Sequence, residues 1–300
     1  MHKDPNTAVG KDEVTVVIPT FNEEQAIGMV LDEVSAAGYE NGLVVDGYSV
    51  DGTVKLAESR GVPVVQQNGP GKTGAIRTAL DFVKTPYMLV MDGDYTYCAK
   101  DIERFLNNGG RYVQVVGVRN RACMNWVHRV GNWMITHTFN LLLDAGVSDV
   151  CSGMYLLRTD VARELEFRSK GFRTEVEVVA QTVKAGNVTE VPVDYRARVG
   201  RRKLCTWRNG FEILVSIIGL ARRYNPVLLF SAITALSIFP AVFILGWVVL
   251  EYLLFRVLHE YWTLIGVILL LLASQALAVS TISILMKRSE QRIMKALRGE

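Results

Sequence analysis

Asp92 and Asp94 flank a glycine at the end of the apolar run Tyr87-Met88-Leu89-Val90-Met91. Five apolar residues are too few for a helix and read as a buried strand. If the backbone stays extended past the run, the two carboxylates project to the same side. Gly93 leaves room for a ligand to approach the main chain. A Mg²⁺ site of this kind takes one or two protein carboxylates and fills its other positions with substrate phosphate oxygens. The competing reading is a surface turn, since Asp-Gly is also a hairpin signal.

The elements around the pair favour the metal site. A short apolar run at 14–19 reads as a strand. A helix follows, with Ile27, Val30, Leu31 and Val34 at helical spacing and Gly38 as its stop. Residues 43–45 form a second strand ending at Asp46, and Asp51-Gly52-Thr53 opens a helix that ends near Gly61. A strand at 62–66, a helix at 72–84 and a strand at 87–91 continue the alternation. This pattern predicts an α/β fold: a mostly parallel sheet with helices on both faces. Ligands of such sheets bind beyond the carboxyl ends of the strands. Thr20-Phe21-Asn22-Glu23, Asp46, and Asp92 with Asp94 all fall there. Further along, the sequence predicts a helix from about Lys100, a strand at 112–118, a helical stretch at 120–143, and strands at 154–157 and 188–193. The stripe Trp126, Val130, Trp133 and Met134 is expected to pack into the core.

The chain has 300 residues, 50% of them hydrophobic, and a formal net charge of +3, spread unevenly. Residues 227–250 and 261–286 carry no charge, and each stretch is long enough to cross a hydrocarbon core of ~30 Å as a helix. Residues 1–11 are polar and hold no signal-type apolar segment, so the part ahead of the spans is expected to stay unexported. The four cysteines have no paired or zinc-type spacing and read as reduced thiols of a cytosolic domain. Residues 195–211 hold six basic side chains and no acidic one, just ahead of the first span, where anionic phosphates are the expected partner. Residues 207–223 separate apolar and polar faces like a helix lying in the membrane interface. Arg222 and Arg223 precede the first span, and Lys287, Arg288, Arg292, Lys295 and Arg298 follow the second. The loop between the spans carries Glu251, Arg256, His259 and Glu260, with Arg256 its one lysine or arginine. Positive-inside then places both ends in the cytosol. Basic residues gathered at a membrane boundary do not make a nucleic-acid groove.

Gly71-Lys72-Thr73 before a helix resembles half of a phosphate-binding P-loop, with Asp92 as its metal partner. The first glycine of that motif would fall on Gln66, and Pro70 removes an amide that would cradle phosphate.

Taken in order, the motifs resemble the inverting family-two glycosyltransferases of GT-A fold. Val17-Ile18-Pro19-Thr20-Phe21-Asn22-Glu23 resembles their opening, and Val45-Asp46-Gly47-Tyr48-Ser49-Val50-Asp51-Gly52-Thr53 their second motif. The stretch from Gly71 to Arg77 resembles their glycine-lysine loop, Asp92-Gly93-Asp94 their DxD motif, and Cys151-Ser152-Gly153-Met154 their later Ser-Gly strand. The run from Val191 to Leu204 looks like the end of the catalytic domain in dolichyl-phosphate mannose and glucose synthases. Gly47 stands where paired aspartates are common, which leaves uridine against guanosine open. Thr96 and Arg202 also depart from the usual pattern.

The resemblance implies transfer of a hexose from a nucleotide-diphosphate sugar to a polyprenyl or dolichyl phosphate at the cytosolic face of a bilayer. It implies Mg²⁺ or Mn²⁺ on Asp92 and Asp94. Pro19, Thr20, Asn22, Glu23, Asp46, Lys72 and Gly93 would bind the nucleotide sugar. Arg119 and Arg129 would act at the acceptor phosphate, supported by Ser152, Arg198, Arg202 and Lys203. Glu175 and Glu177 are candidates for contacts to sugar or acceptor. The expected organisation is a polar tail (1–12), a catalytic domain (13–205), a juxtamembrane helix (206–225), and a two-span domain with a basic tail (226–300), with room for a homo-oligomer through the membrane helices. A processive polysaccharide synthase is the alternative enzyme, but its QxxRW motif is missing from the sequence. A non-catalytic membrane scaffold is the alternative outside enzymes.

Overall fold

A computed structural model of the chain describes residues 8–120, 126–143, 145–167, 174–185, 187–200, 215, 218 and 226–298. The chain divides into two compact units, Met1–Ile217 and Ile218–Glu300.

The first unit is built around β1, Val14–Thr20. Its β-branched run buries Val14, Val16, Val17 and Ile18 completely, as a central strand covered on both faces must. β2 (Gly42–Asp46) and β4 (Tyr87–Val90) flank β1 in parallel, and β3 (Val64–Gln66) adds outside β2. The crossovers run through α1 (Glu24–Ala36), α2 (Thr53–Glu58) and α3 (Gly71–Phe82). β5 (Gln114–Arg119), β6 (Tyr155–Arg158) and β7 (Val188–Val193) complete a seven-stranded sheet of order β3-β2-β1-β4-β6-β5-β7. Residues of adjacent position go to opposite faces. Ile18, Leu89 and Leu156 join one apolar cluster with Ile27, Leu31 and Phe105. Val17, Val90 and Leu157 join the other with Ile76.

Only β6 is reversed, running antiparallel to β4 and β5. β1, β2, β4, β5 and β7 therefore deliver their carboxyl ends to one edge of the sheet, and β6 begins there. Val90 at the end of β4 pairs with Tyr155 at the start of β6, which brings Ser152 and Gly153 to the edge where Asp92 emerges.

The strands stand within a residue or two of their expected positions. β4 stops at Val90 and the chain turns at Gly93, so the Asp-Gly-Asp stretch is not an extension of the strand. A 3₁₀ turn, Ala99–Asp101, precedes α4 (Ile102–Gly109). The periodicity did not reveal α6 (Thr159–Glu164) or α7 (Thr174–Ala185). α6 is too short to show a stripe, and α7 opens on the strand-like alternation Thr-Glu-Val-Glu-Val.

The stripe on α5 (Trp126–Leu143) corrects the sequence expectation: it faces outward, with Trp126 68% and Trp133 54% exposed. The opposite face, with Asn132, Ile135, Thr136 and Phe139, is buried. The reason is polar. Asn132 donates to the Asp149 carboxylate (3.0 Å) and Thr136 accepts from the Val150 amide (3.5 Å), so the loop before β6 draws the mixed face inward. Most of the expected interfacial helix at 207–223 lies outside the described residues.

The second unit is a pair of long helices, α8 (Pro226–Phe255) and α9 (Glu260–Arg298). Their apolar stretches have mean hydropathies of 2.3 and 2.2, with only 17% and 22% buried. Core helices would be mostly buried, so these fit membrane spans. The helices meet through small residues: Ser231 and Ser280 hydroxyls lie 3.0 Å apart, and Gly266 faces Leu245 where a Cβ would come within 2.6 Å.

One polar tie fixes α1 to the segment after β7. Glu33 accepts hydrogen bonds from Tyr95 Oη (2.8 Å) and Arg196 Nη1 (2.7 Å), and the Arg196 guanidinium stacks over the Tyr95 ring. Burial pushes the Glu33 carboxyl up, but Arg196 and Tyr95 outweigh it and hold it below the ordinary glutamate range. A depressed carboxyl stabilises the fold above that range and ceases to as pH falls through it. Glu33→Gln is expected to cost roughly 1.5–3 kcal/mol at neutral pH. In thermal unfolding of the full chain in micelles, the gap in Tm from wild type should close on acidification.

Candidate active site

The ends of β1 and β2 are clasped together. Thr20 pairs with Asp46 in register, and Asp46 is fully buried. Its carboxylate accepts from the Ser49 amide (2.9 Å), the Ser49 hydroxyl (2.5 Å) and the Thr20 hydroxyl (3.4 Å). Asn22 donates its amide to Ser49 Oγ (2.7 Å), and its Oδ1 accepts from the Val50 amide (2.8 Å). Asn22 does this at φ 51°, a conformation asparagine tolerates better than most residues. The Glu23 amide donates to Thr53 Oγ1 at 2.8 Å. Pro19, Thr20, Asn22, Glu23 and Asp46 are thus gathered at two neighbouring strand ends.

Beside the clasp, each carboxylate of the Asp-Gly-Asp stretch is held by a basic residue, and each basic residue is shared with a glutamate. Lys72 lies 2.5 Å from Asp92 Oδ1 and 2.5 Å from Glu175 Oε1. Arg198 lies 2.8 Å from Asp94 Oδ2 and also pairs with Glu23. Asp94 Oδ1 accepts from the Thr96 hydroxyl (2.5 Å) and amide (3.1 Å). Lys72 is placed by a tight turn. Gly71 sits at φ 67°, and a Cβ on Gly74 would fall 2.3 Å from the Gly69 carbonyl oxygen. Thr73 and Thr174 hydroxyls, 2.6 Å apart, tie the start of α3 to the start of α7 and so bring Glu175 to Lys72. Glu177, also buried, sits in the same first turn of α7.

Among the described residues, Lys72 bridges Asp92 and Glu175, and Arg198 bridges Asp94 and Glu23. Burial raises the Asp94 carboxyl, and repulsion from Asp92 adds to it, against the Thr96 hydrogen bonds and Arg198. Burial likewise raises Glu175, partly offset by Lys72. Burial alone would lower Lys72, but Asp92 and Glu175 hold its ammonium well above the usual range. The second Glu175 oxygen, Oε2, is buried without a hydrogen-bond partner. A divalent ion fits these residues, because carboxylate oxygens are the donors that Mg²⁺ and Mn²⁺ prefer.

A third group lies at the ends of β5 and β7. Arg119 forks onto Asp149 through Nε and Nη2, both at 2.7 Å, and its guanidinium lies 5.4 Å from the Tyr195 ring centroid. Tyr97 packs edge-on against Tyr195 and accepts from the Gly153 amide (2.7 Å). Ser152 is buried 3.4 Å from the Tyr97 hydroxyl. Burial pushes the Cys151 thiol up to about 12, so it is no nucleophile at neutral pH. Arg129 stands exposed on α5, while Arg202 and Lys203 lie outside the described residues. Cys98 and Cys151 are free thiols. Cys98, Asp101 and Asp194 also offer ligand atoms within 4.8 Å of one another, but Arg104 and Lys100 pair with the two carboxylates.

Sequence reasoning missed Tyr97, Asn132, Asp149, Thr174 and Tyr195. Tyr195 lies in the run from Val191 to Leu204 but was not singled out there; the other four sit in none of the quoted motifs, and their partners are far along the chain, where periodicity does not read them.

The model of glycosyl transferase family 2 matches residues 15–166 of this chain. The chain belongs to glycosyl transferase family 2. It is 30% identical over 295 residues to glycosyltransferase AglJ of Haloferax volcanii, covering 95% of this chain and 97% of that protein. It is 32% identical over 215 residues to a dolichyl-phosphate hexose transferase of the same organism, covering 69% of this chain and 93% of the relative. Among solved structures, glucosyl-3-phosphoglycerate synthase from Mycobacterium tuberculosis, in complex with Mn²⁺, UDP-glucose and phosphoglyceric acid, aligns with a TM-score of 0.58 at 19% identity. The alignment covers 70% of this chain and 79% of that one. The fold is therefore GT-A, and this glycosyltransferase carries two apolar helices after its catalytic unit.

Gly153 has room for hydrogen alone: a Cβ there would fall 2.0 Å from Asp92 Oδ2. Gly153→Ala must move the Asp92 carboxylate. The variant should fold yet lose transfer by about a hundredfold or more, because a misplaced Lewis acid forfeits several kcal/mol. Calorimetry should show weakened Mn²⁺ binding alongside. Wild-type values for both would show that the carboxylate is not needed where it stands.

Proposed function

We propose that this glycosyltransferase moves a hexose from a UDP- or GDP-linked sugar to a polyprenyl (dolichyl) phosphate at the cytosolic face of the membrane. The observation that carries this reading is the cluster of the carboxylates Asp92, Asp94, Glu23 and Glu175 beside the clasped ends of β1 and β2, in a chain that also has two membrane-type helices. Likeness to the dolichyl-phosphate hexose transferase supports the acceptor class. So does the outward apolar face of α5, with Trp126 and Trp133, a composition suited to a membrane interface.

On this reading Pro19, Thr20, Asn22, Glu23, Asp46, Lys72 and Gly93 bind the nucleotide sugar. Asp92 and Asp94 hold Mg²⁺ or Mn²⁺, which when bound offsets the charge of the departing nucleoside diphosphate. Lys72, paired with Asp92 and Glu175, would lend its ammonium to a donor phosphate. The unpartnered oxygen of Glu175 suits a sugar hydroxyl, which would satisfy it. The acceptor phosphate has a second pKa of ~6 and is already anionic at neutral pH, so no strong protein base is required. Its charge must be met by cations instead. Arg119, largely buried and held by Asp149, would be one of these. Arg129, Arg202 and Lys203 would support it, as would Arg198 from its place beside Asp94 and Glu23. The catalytic domain is taken as 13–205, the interfacial helix as 206–225 and the membrane domain as 226–300.

The test is to incubate the purified full chain with labelled UDP- and GDP-sugars, Mn²⁺ and dolichyl or undecaprenyl phosphate. Chloroform-soluble label is expected with one donor. Label only in water-soluble polymer, or none with any donor, would overturn the reading. Arg202→Ala should raise the acceptor KM or lower kcat, reducing acceptor efficiency by about one to two decades, as for the loss of one charged hydrogen bond. It should leave nucleoside diphosphate binding unchanged in calorimetry. For the orientation, a cysteine placed beside His259 should react with a membrane-impermeant maleimide on intact cells. Protection there, with labelling only after lysis, would reverse the assigned face.

A further inference from the structure

We infer that Tyr48 is a wall of the nucleobase site, its ring stacking on the base of the donor nucleotide. This rests on the reading of the β1 and β2 ends as the nucleoside pocket.

Tyr48 follows the buried Asp46 by two residues and sits at φ 65°, a conformation that a bulky side chain rarely adopts. Nothing in packing offsets that strain, since Tyr48 is 63% exposed. The backbone on both sides is pinned. The Gly47 amide donates to the Thr20 carbonyl (2.8 Å), Ser49 is held by Asp46 and Asn22, and the Val50 amide is held by Asn22. Glycine would take this conformation freely. A strained tyrosine left in the open is a cost that folding does not recover, and such costs gather at ligand sites.

The neighbouring position closes the alternative. A Cβ on Gly47 would lie 3.2 Å from both Gln67 Oε1 and the Thr20 carbonyl oxygen, and 3.4 Å from Phe21 Cβ. A longer side chain there would have to displace these atoms, so any side chain offered to a ligand between Asp46 and Ser49 is that of Tyr48. Across the clasp, on the neighbouring strand end, Phe21 is also about half exposed. Two solvent-exposed aromatics at adjoining strand ends, Tyr48 the more so, suit a ligand with flat apolar faces, and a nucleobase is one. Aromatic stacking tolerates any base, since each has a π-face. Tyr48 therefore supplies affinity for the base and leaves discrimination to groups at its edge.

The experiment compares wild type, Tyr48→Gly and Tyr48→Phe as full chains in micelles. It measures binding of UDP, GDP and base-free pyrophosphate in Mn²⁺ by calorimetry, and Tm by thermal unfolding. Tyr48→Gly should bind the preferred nucleoside diphosphate roughly five- to a hundredfold more weakly. It should keep pyrophosphate affinity and should not lower Tm, because the strain is relieved. Tyr48→Phe should bind like wild type. Unchanged nucleotide binding in Tyr48→Gly overturns the inference, as does an equal loss for pyrophosphate, a loss in Tyr48→Phe as large as in Tyr48→Gly, or a fall in Tm with binding intact. A wild-type chain that binds neither UDP nor GDP would instead overturn the donor reading beneath it.

Discussion

Four carboxylates brought to one edge of a sheet repel each other, and the rest of the catalytic unit is arranged around containing that repulsion. Lys72 and Arg198 each bridge two of them, which ties α3 to α7 through Asp92 and Glu175, and the segment after β7 to the ends of β1 and β4 through Glu23 and Asp94. Burial, with repulsion from Asp92 added, keeps the carboxyls of Asp94 and Glu175 raised despite these pairs. On the proposed reading, a divalent ion held by Asp92 and Asp94 would relieve part of that repulsion.

Topology decides which residues share that edge. In a sheet with every strand parallel, the residues before β6 would lie at the far end. Reversing β6 turns its start toward the carboxyl ends of its neighbours. Gly153 then lies against Asp92, and its amide is received by Tyr97. The missing Cβ at Gly153 matters because the strand start and the carboxylate occupy nearly the same space.

The parts of the site that were legible in the sequence are those whose chemistry is local. Asp46, Asp92 and Asp94 follow apolar runs that can only be buried strands, and a strand end in an α/β sheet is where ligands go. Lys72 was legible because glycines and a helix start surround it. Asp149, Asn132 and Tyr195 were not, because each depends on a partner far along the chain: Arg119, thirty positions before Asp149, is invisible to periodicity. The α5 stripe misled for a related reason. Hydrophobic spacing identifies a face but not which way it turns, and here Asn132 and Thr136 turn the mixed face inward to meet the loop before β6.

On the proposed reading, both substrates carry phosphate, and a single basic pocket would hold them without keeping them apart. The unit instead divides its cations. Lys72 belongs to the carboxylate cluster, screened on both sides by Asp92 and Glu175. Arg119 is fixed by Asp149 on the other side of Tyr97 and Gly153. Arg198 lies between, engaged with Asp94 and Glu23. Arg119 is buried and forked, so it offers its charge in one direction only. Lys72 sits between two carboxylates, Asp92 and Glu175, whereas Arg119 is forked onto one. On the proposed reading, Arg119 would meet an acceptor that arrives already charged and Lys72 a leaving group that gains charge during transfer.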